Sequence, residues 1–187
     1  MISNADRSYW IGASDTSYVV GNRNTDSFRK WFYVKLGITE SHIDNKYTRA
    51  GTHFEHKILA TLGDVRKDYQ IIIPELRLRV NYDGDKDGVI YEVKTHKADK
   101  PFKVTAAYWR QAQVEMFAMK TRELYIVSYG LIEEDYSNYF AEIDESRKAK
   151  TKIEYDEAWI NNVYLPNLAE IRDCLERGVL PKGARQC

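Results

Sequence analysis

Residues 76–95 constrain this chain more than any other segment, because two strand-like stretches enclose an Asp- and Gly-rich run. In residues 76–82 apolar side chains alternate with polar ones, which is typical of a half-buried strand. Residues 83–88 are of the types that form turns, and residues 89–95 return to an alternating apolar pattern. The sequence therefore predicts a β-hairpin.

Three side chains of this hairpin can bind metal ions or transfer protons. Side chains two apart on a strand share a face, so Glu92 and Lys94 point the same way, and folding the turn back brings Asp83 toward Glu92. Ionised groups within an otherwise apolar strand are costly unless they are paired or bind metal. Asp83, Glu92 and Lys94 thus form a candidate site for phosphodiester cleavage, with Asp85 and Asp87 as turn residues.

Other interpretations of the same region fit less well. The run 83–88 imitates the start of a calcium-binding EF-hand loop, but the twelfth position, which needs a bidentate Glu, is Lys94. His53 and His56 suggest zinc, yet no Cys or further His supports a tetrahedral site. A solvated acidic turn is the remaining alternative, and the charged residues within an apolar strand argue against it.

The bulk properties bound the class of protein. A chain of 187 residues suits one domain, and no apolar run approaches the roughly 18 residues of a membrane span. We expect a cytoplasmic protein, because the N-terminus lacks a basic stretch followed by an apolar one and the two cysteines suggest no disulfide framework. Net charge is zero, but basic residues outnumber acidic ones over residues 76–110. That basic strip fits a nucleic-acid groove or an ordinary solvated surface.

Periodicity and capping residues predict the remaining elements. Ser14 or Asp15 is a candidate cap for a first helix, Asp26 is a candidate cap for a second, and Pro166 is expected to kink or split the last. The predicted helices cover about 15–21, 26–35, 50–62, 105–120 and 155–177, and the predicted strands cover 66–73, the two hairpin arms, 123–131 and an edge strand at 139–143. A strand, a helix and another strand after the hairpin turn favour a right-handed crossover.

Four sequence blocks in this order carry a family resemblance. They are Arg7 to Ser14 (Arg-x-x-x-Ile-Gly-Ala-Ser), Gly51-Thr-His-Phe-Glu55, Asp83-Gly to Glu92-Val-Lys94, and Tyr108-Trp-Arg-Gln111-Ala-Gln113. Together they resemble the PD-(D/E)xK nuclease superfamily, and more closely the phage lambda-type exonucleases, also called YqaJ-like viral recombinases.

The resemblance implies an α/β fold with a mixed α+β sheet. It is a restriction-endonuclease-like core of helix, three strands, helix and strand, with extra N- and C-terminal helices. We expect one nuclease domain over residues 1–187, with its core at about 50–131. A helical segment at 1–49 precedes the core, and a strand and helices at 132–187 follow it.

The sequence also departs from the family pattern. Tyr82 stands where the superfamily has Pro, and Asn81 stands where relatives often carry Ser or Thr. Ala112 and Glu115 lie in a region that is often richer in Gln or Val. The acidic C-terminal third matches least.

A hard divalent cation is expected at the hairpin, since Mg²⁺ prefers oxygen ligands. Asp83, Glu92 and the Val93 backbone carbonyl are the predicted ligands of one or two Mg²⁺ ions, for which Mn²⁺ should substitute. Lys94 is predicted to orient or help deprotonate the attacking water. By resemblance, Glu55 joins the same catalytic site, directly or through a metal-bound water.

The resemblance also implies residues that bind the end of the DNA. Arg7, Ser14 and Gln111, with Gln113 as a further candidate, are expected to hold the terminal 5′ phosphate and the nearby strand. Arg provides a bidentate fork for phosphate, and a Ser hydroxyl near a helix N-terminus adds a donor where anions are favoured. Ser14 as a helix cap, Arg7 as a surface cation and Gln111 as a core-edge amide remain alternatives.

The leading functional hypothesis is a Mg²⁺-dependent 5′ to 3′ exonuclease. By resemblance, it degrades one strand of linear double-stranded DNA and leaves 3′ single strands for phage-type homologous recombination. A homotrimeric ring and a single-strand annealing recombination protein as partner are implied. The alternatives are a structure-specific or restriction-type endonuclease on the same fold, and a catalytically silent DNA-binding module.

Overall fold

A computed structural model describes residues 8–40 and 45–184, which contain five strands and several helical segments. The helices are α1 (Thr16–Val19), α2 (Asp26–Lys35), α3 (Lys46–Ala60), α4 (Ala106–Met119), α5 (Glu157–Trp159) and α6 (Leu165–Arg177). The strands are β1 (Arg66–Ile73), β2 (Leu78–Lys86), β3 (Val89–Lys97), β4 (Glu123–Leu131) and β5 (Lys148–Glu154). They form one sheet in the order β1-β2-β3-β4-β5, in which only the β3–β4 pair is parallel. The predicted mixed α/β fold is confirmed.

The predicted hairpin is present, but its turn is shorter than the sequence suggested. Lys86 pairs with Val89, so Asp87 and Gly88 alone form the turn, with φ of 53° and 82°. Two central residues with positive φ match the twist of the flanking strands, which is why Asp-Gly is favoured there. Asp85 was wrongly predicted as a turn residue: it lies in β2, where its Oδ1 accepts hydrogen bonds from Arg66 Nε (2.8 Å) and Tyr82 Oη (3.1 Å).

The two hairpin strands pair only next to the turn. The ladder joins residues 84–86 to residues 89–91 and extends no further. One residue beyond it, Asp83 Oδ2 accepts the backbone N–H of Val93 at 2.7 Å, in place of a carbonyl from the neighbouring strand. We call this opening between residues 78–83 of β2 and 92–97 of β3 the hairpin fork.

Helices cover the sheet on both faces and bring two elements to the fork. On one face Ile90 packs with Ala112 and Val114 of α4 in the larger apolar cluster. On the other, Val93 packs with Phe54 of α3 in a second cluster. A strand alternates its faces, so Glu92 and Lys94 lie on the α4 side of β3.

Glycine at position 51 allows α3 to lie close against β3. A Cβ atom at Gly51 would come within 3.3 Å of Thr95 Oγ1, which is tighter than normal packing. The helix begins at Lys46 rather than near Ala50, because the Asn45 side chain caps it by accepting the N–H groups of Tyr47 and Thr48. This close approach carries Glu55 toward the hairpin fork.

The first two helices match their predicted positions but not their predicted caps. Thr25, not Asp26, caps α2 by accepting the N–H of Phe28. Asp15 precedes α1 without a side-chain cap and instead accepts from Gly12 N (2.8 Å) and pairs with Lys35 (2.7 Å). Asp15 therefore anchors the N-terminal segment.

The edge strand was predicted in the wrong place. Residues 139–143 form no strand; Lys57 Nζ donates there to the carbonyls of Tyr139 (2.7 Å) and Ala141 (2.9 Å). The edge is β5, where Lys148, Lys150 and Lys152 alternate along the strand. Lysine is common on edge strands because it discourages pairing with another chain.

The C-terminal helix changes its winding where proline was expected to disturb it. Residues 157–177 are helical throughout, but Ile160–Tyr164 form a π-helical turn directly before Pro166. Proline has no N–H to continue the regular pattern, which accounts for the change. Within the described ranges, no helix has the length and apolar character needed to cross a bilayer.

Gly84 provides a test of the packing under the hairpin. A Cβ added there would lie 2.6 Å from Val65 Cγ1 and 3.2 Å from Leu59 Cδ2, so Gly84→Ala should lower the free energy of unfolding by about 1–3 kcal/mol through overpacking. Chemical denaturation measures the change. Gly12→Ala is the matched control, because its added Cβ meets no atom closer than 3.6 Å. Equal stability of the two variants would contradict the packing at Gly84.

Candidate active site

The hairpin fork brings the predicted catalytic residues together from three elements. Asp83 comes from β2, Glu92 and Lys94 from β3, and Glu55 from α3. Glu92 and Lys94 are directly paired, since Lys94 Nζ donates to Glu92 Oε1 at 2.7 Å. Asp83 is joined to the same strand through the N–H of Val93. Residues that are far apart in the sequence thus meet in one site.

Lys94 is held in place from two sides. Besides its bond to Glu92, the ammonium group lies 5.3 Å from the ring centroid of Tyr108 on α4, within range of a cation–π interaction. Burial alone would lower the pKa of Lys94, but the charges of Glu92, Glu115 and Asp83 outweigh it and raise the pKa above its usual value. Lys94 therefore keeps its proton in this arrangement.

The acidic groups at the fork repel one another. Burial, followed by the charges of Glu92 and Glu55, raises the pKa of Asp83 well above its ordinary value. Burial and the charge of Glu92 likewise raise the pKa of Glu55. Carboxylates crowded in this way favour either protonation or a bound cation, because both remove the excess negative charge.

The oxygen atoms at the fork fit a hard divalent cation. Glu92 is 4% exposed, and its Oε2 has no hydrogen-bond partner among the described residues. The N–H and C=O of one residue in a strand point to the same side, so the Val93 carbonyl faces the fork together with the N–H that Asp83 binds. A buried oxygen without a partner, beside carboxylates, is the donor set that Mg²⁺ or Mn²⁺ prefers.

Sequence reasoning missed one acidic residue of the site. Glu115 on α4 is fully buried, and its Oε1 accepts from Gln111 Nε2 at 2.8 Å. The same Gln111 nitrogen donates to Glu92 Oε1 at 2.6 Å. The signal was available, since residues four apart on a helix share one face and Gln111 was already a candidate. Burial, then the charge of Glu92, raises the pKa of Glu115 well above its ordinary value.

The predicted DNA-end residues have different outcomes. Arg7 lies outside the described residues. Ser14 is exposed in a 3₁₀ turn over Ala13–Asp15 that packs against α4. Gln113, predicted as a DNA contact, is fully buried, donates to the Glu154 carbonyl (2.8 Å) and accepts the N–H of Asp156 (2.7 Å), so its amide joins α4 to the end of β5.

A second group of potential ligands lies on the outer side of Glu55. Single ligand atoms of Glu55, His56 and Asp68 lie within 4.8 Å of one another. His56 Nε2 and Asp68 Oδ2 already pair at 2.9 Å on the exposed surface. His53 stacks on Tyr139 with ring centroids 4.2 Å apart, so it belongs to the packing of the 137–144 loop.

The raised acidic pKa values predict how stability depends on pH without metal. A carboxyl group whose pKa is higher in the folded state than in the unfolded state stabilises the fold at pH values below its ordinary pKa, which is 3.8 for Asp83. That contribution is lost as the pH rises through the pKa of the folded state. In EDTA at pH 8, Asp83→Asn should therefore be more stable than the wild type, by on the order of 1 kcal/mol. The advantage should disappear near pH 4.

Chemical denaturation across this pH range measures the difference. Asp87→Asn, the same change in the exposed turn, is the control and should follow the wild type. Adding Mn²⁺ at pH 8 should raise the melting temperature of the wild type more than that of Asp83→Asn. A destabilised Asp83→Asn at pH 8 would contradict repulsion at the fork.

Comparison with known proteins identifies the fold. No protein-family model matches the sequence, and a search of curated proteins finds no match. Among solved structures, an alkaline exonuclease from Laribacter hongkongensis (LHK-Exo) superposes with a TM-score of 0.68 at 20% identity, covering 93% of this chain and 91% of that chain. LHK-Exo in complex with dAMP gives 0.64 at 21% identity and covers 93% of both chains.

A phage-related exonuclease from Haemophilus somnus 129PT superposes equally well. Its TM-score is 0.67 at 16% identity, and the match covers 90% of this chain and 96% of that chain. Likeness at this level of identity concerns the fold. The chain therefore has the fold of these exonucleases, which is the fold that its four sequence blocks predict.

Proposed function

We propose that this protein is a Mg²⁺-dependent 5′ to 3′ exonuclease that degrades one strand of linear double-stranded DNA. The observation that carries the proposal is the convergence of Asp83, Glu92, Lys94 and Glu55 at the hairpin fork. The fold likeness to two exonucleases, one of them also solved with dAMP, supports a DNA substrate.

Phosphodiester hydrolysis needs a positioned water and compensation for the charge that develops on the phosphate. Asp83, Glu92 and the Val93 carbonyl would hold one or two Mg²⁺ ions, and Glu55 would reach them directly or through water. When bound, the cation neutralises phosphate charge and activates water at neutral pH. Mn²⁺ is expected to substitute, since it accepts the same oxygen ligands.

Lys94 supplies the group that orients the attacking water. Its ammonium is fixed by Glu92 Oε1 and by the face of Tyr108. A fixed, protonated amine donates hydrogen bonds to the water or to a phosphate oxygen. Of the two roles predicted for Lys94, we assign orientation rather than deprotonation.

The surface beside the fork is suited to a DNA strand. Lys97, Lys100 and Lys103 are exposed along the segment that connects β3 to α4. Arg77 and Arg79, which the basic strip also included, are each 8% exposed. Arg77 donates to the Tyr9 (2.5 Å) and Lys35 (3.2 Å) carbonyls, so it holds the N-terminal segment in place.

The details of action on DNA extend this proposal. We assign recognition of the terminal 5′ phosphate to Arg7 and Ser14, and we propose a homotrimeric ring that threads the duplex. The 3′ single strands would pass to a single-strand annealing protein in phage-type homologous recombination. These three assignments rest on the family resemblance of the sequence blocks.

Defined DNA substrates test the direction and the need for an end. The protein is incubated in Mg²⁺ with linear duplexes that carry a 5′ phosphate or a 5′ hydroxyl, and with a closed circle. We expect digestion of linear DNA only, faster from the 5′ phosphate, with labelled 3′ strands surviving. Cleavage of the circle would favour the endonuclease, and no cleavage in Mg²⁺ or Mn²⁺ would favour a DNA-binding module.

Substitution at the fork tests the site itself. Asp83→Asn and Lys94→Met should each lower the cleavage rate by about 10²-fold or more, because each removes a preorganised charge at the reacting phosphate. Single-turnover digestion of an end-labelled duplex measures the rate. Asp87→Asn removes a carboxylate from the exposed turn of the same hairpin and should cleave like the wild type. Full activity in Asp83→Asn or Lys94→Met would reject the fork as the site of cleavage.

A further inference from the structure

Glu115 is the least expected residue of the site. A fully buried glutamate on α4 is costly unless its charge is compensated, and its Oε2 has no hydrogen-bond partner among the described residues. An apolar side chain would pack at this position without that cost. The position of Glu115 beside the fork therefore calls for a role other than packing.

The contact that Glu115 makes fixes the orientation of Gln111. The amide nitrogen of Gln111 lies between two carboxylate oxygens, Glu92 Oε1 at 2.6 Å and Glu115 Oε1 at 2.8 Å. Glu92 Oε1 also accepts from Lys94, so a reversed Gln111 amide would set its carbonyl oxygen against another acceptor, and the amide therefore keeps its nitrogen toward Glu92. Gln111 can then offer only its carbonyl oxygen, an acceptor, to anything else in the site.

The same contact determines which oxygen of Glu92 remains for a cation. Glu92 Oε1 accepts from both Lys94 (2.7 Å) and Gln111 (2.6 Å), whereas Oε2 has no partner among the described residues. Two donors on one oxygen hold the carboxylate in a single orientation. Without Glu115, the Gln111 amide would lose the second anchor of its nitrogen and could turn away from Glu92.

We propose that Glu115 is a positioning residue, which clamps the Gln111 amide onto Glu92 and thereby presents Glu92 Oε2 to the catalytic cation. The clamp consists of Glu92, Gln111 and Glu115. It rests on the proposed function and reassigns Gln111 from a phosphate donor to an anchor of a metal ligand. Groups that orient metal ligands typically change metal affinity by about 10–100-fold when they are removed.

Mn²⁺ binding in the absence of DNA tests the clamp. Glu115→Met keeps the approximate volume but removes the acceptor, and Gln111→Met removes the donor. By isothermal titration calorimetry, each should weaken Mn²⁺ binding by about tenfold. The double variant should be no weaker than either single variant, because Glu115 acts through Gln111. Additive losses would overturn the proposal.

A conservative variant separates positioning from direct ligation. Glu115→Gln retains an oxygen that can accept from Gln111, so its Mn²⁺ affinity should stay close to that of the wild type. A loss equal to that of Glu115→Met would show that the negative charge itself is required, and would overturn the clamp. Should Glu115→Met not fold, wild-type affinity in Gln111→Met would overturn it as well.

Thermal denaturation distinguishes the clamp from a role of Glu115 in packing alone. Thermal denaturation in EDTA should show Glu115→Met at least as stable as the wild type, because a buried charge beside other carboxylates has been removed. Lower stability with unchanged Mn²⁺ affinity would assign Glu115 to the core and reject the clamp.

The DNA-cleavage assay gives an independent readout. Gln111→Met should lower kcat without changing the ratio of rates on 5′-phosphate and 5′-hydroxyl ends, and loss of that ratio would place Gln111 on the phosphate instead. These experiments test the clamp and the nuclease activity independently. If the wild type binds Mn²⁺ and follows the binding cycle but cuts no DNA, the clamp stands and the nuclease falls.

Discussion

The hydrogen bond from the Val93 N–H to the Asp83 carboxylate is the interaction on which the site depends. A backbone donor in a sheet must be satisfied, and at this point a side chain takes the place of the neighbouring strand. Because the Asp83 side chain replaces a strand carbonyl as the acceptor, β2 and β3 can diverge without leaving the Val93 N–H unbonded. The opening between the two strands therefore lies inside a continuous fold, and the carboxylate that bridges it also lines it.

The helices complete the site from opposite faces of the sheet. Gly51 lets α3 lie close to β3 and carry Glu55 inward, while α4 brings Gln111 and Tyr108 to Glu92 and Lys94. Each face is built on its own apolar cluster, so the acidic groups sit between two packed layers. The free energy gained by this packing offsets the electrostatic repulsion among the acidic groups, because net stability is the small difference between large favourable and unfavourable terms.

The sequence was most informative where the local pattern and the tertiary structure agree. The alternation around Asp83 and the Glu92-Val-Lys94 spacing predicted the hairpin and the shared face of Glu92 and Lys94, because period-2 patterning depends only on the strand. β5 was missed, since lysines alternate along this edge strand and its opposite face buries Ile153 alone, which is too weak an apolar pattern to indicate a strand. The burial of Gln113 and Glu115 was not predicted, because it depends on which side of α4 meets the sheet, and polar residues are spread around this helix without a marked apolar face.

The two-residue turn at Asp87 and Gly88 also fixes the number of residues between Asp83 and Glu92. Three ladder pairs separate the turn from the fork, so the chain length between Asp83 and Glu92 determines whether both carboxylates meet. A strand shifted by one residue turns every side chain to the opposite face. Natural variation in the length of this hairpin should therefore be tolerated only in steps that preserve the strand register, whereas loops elsewhere on the surface are free to lengthen.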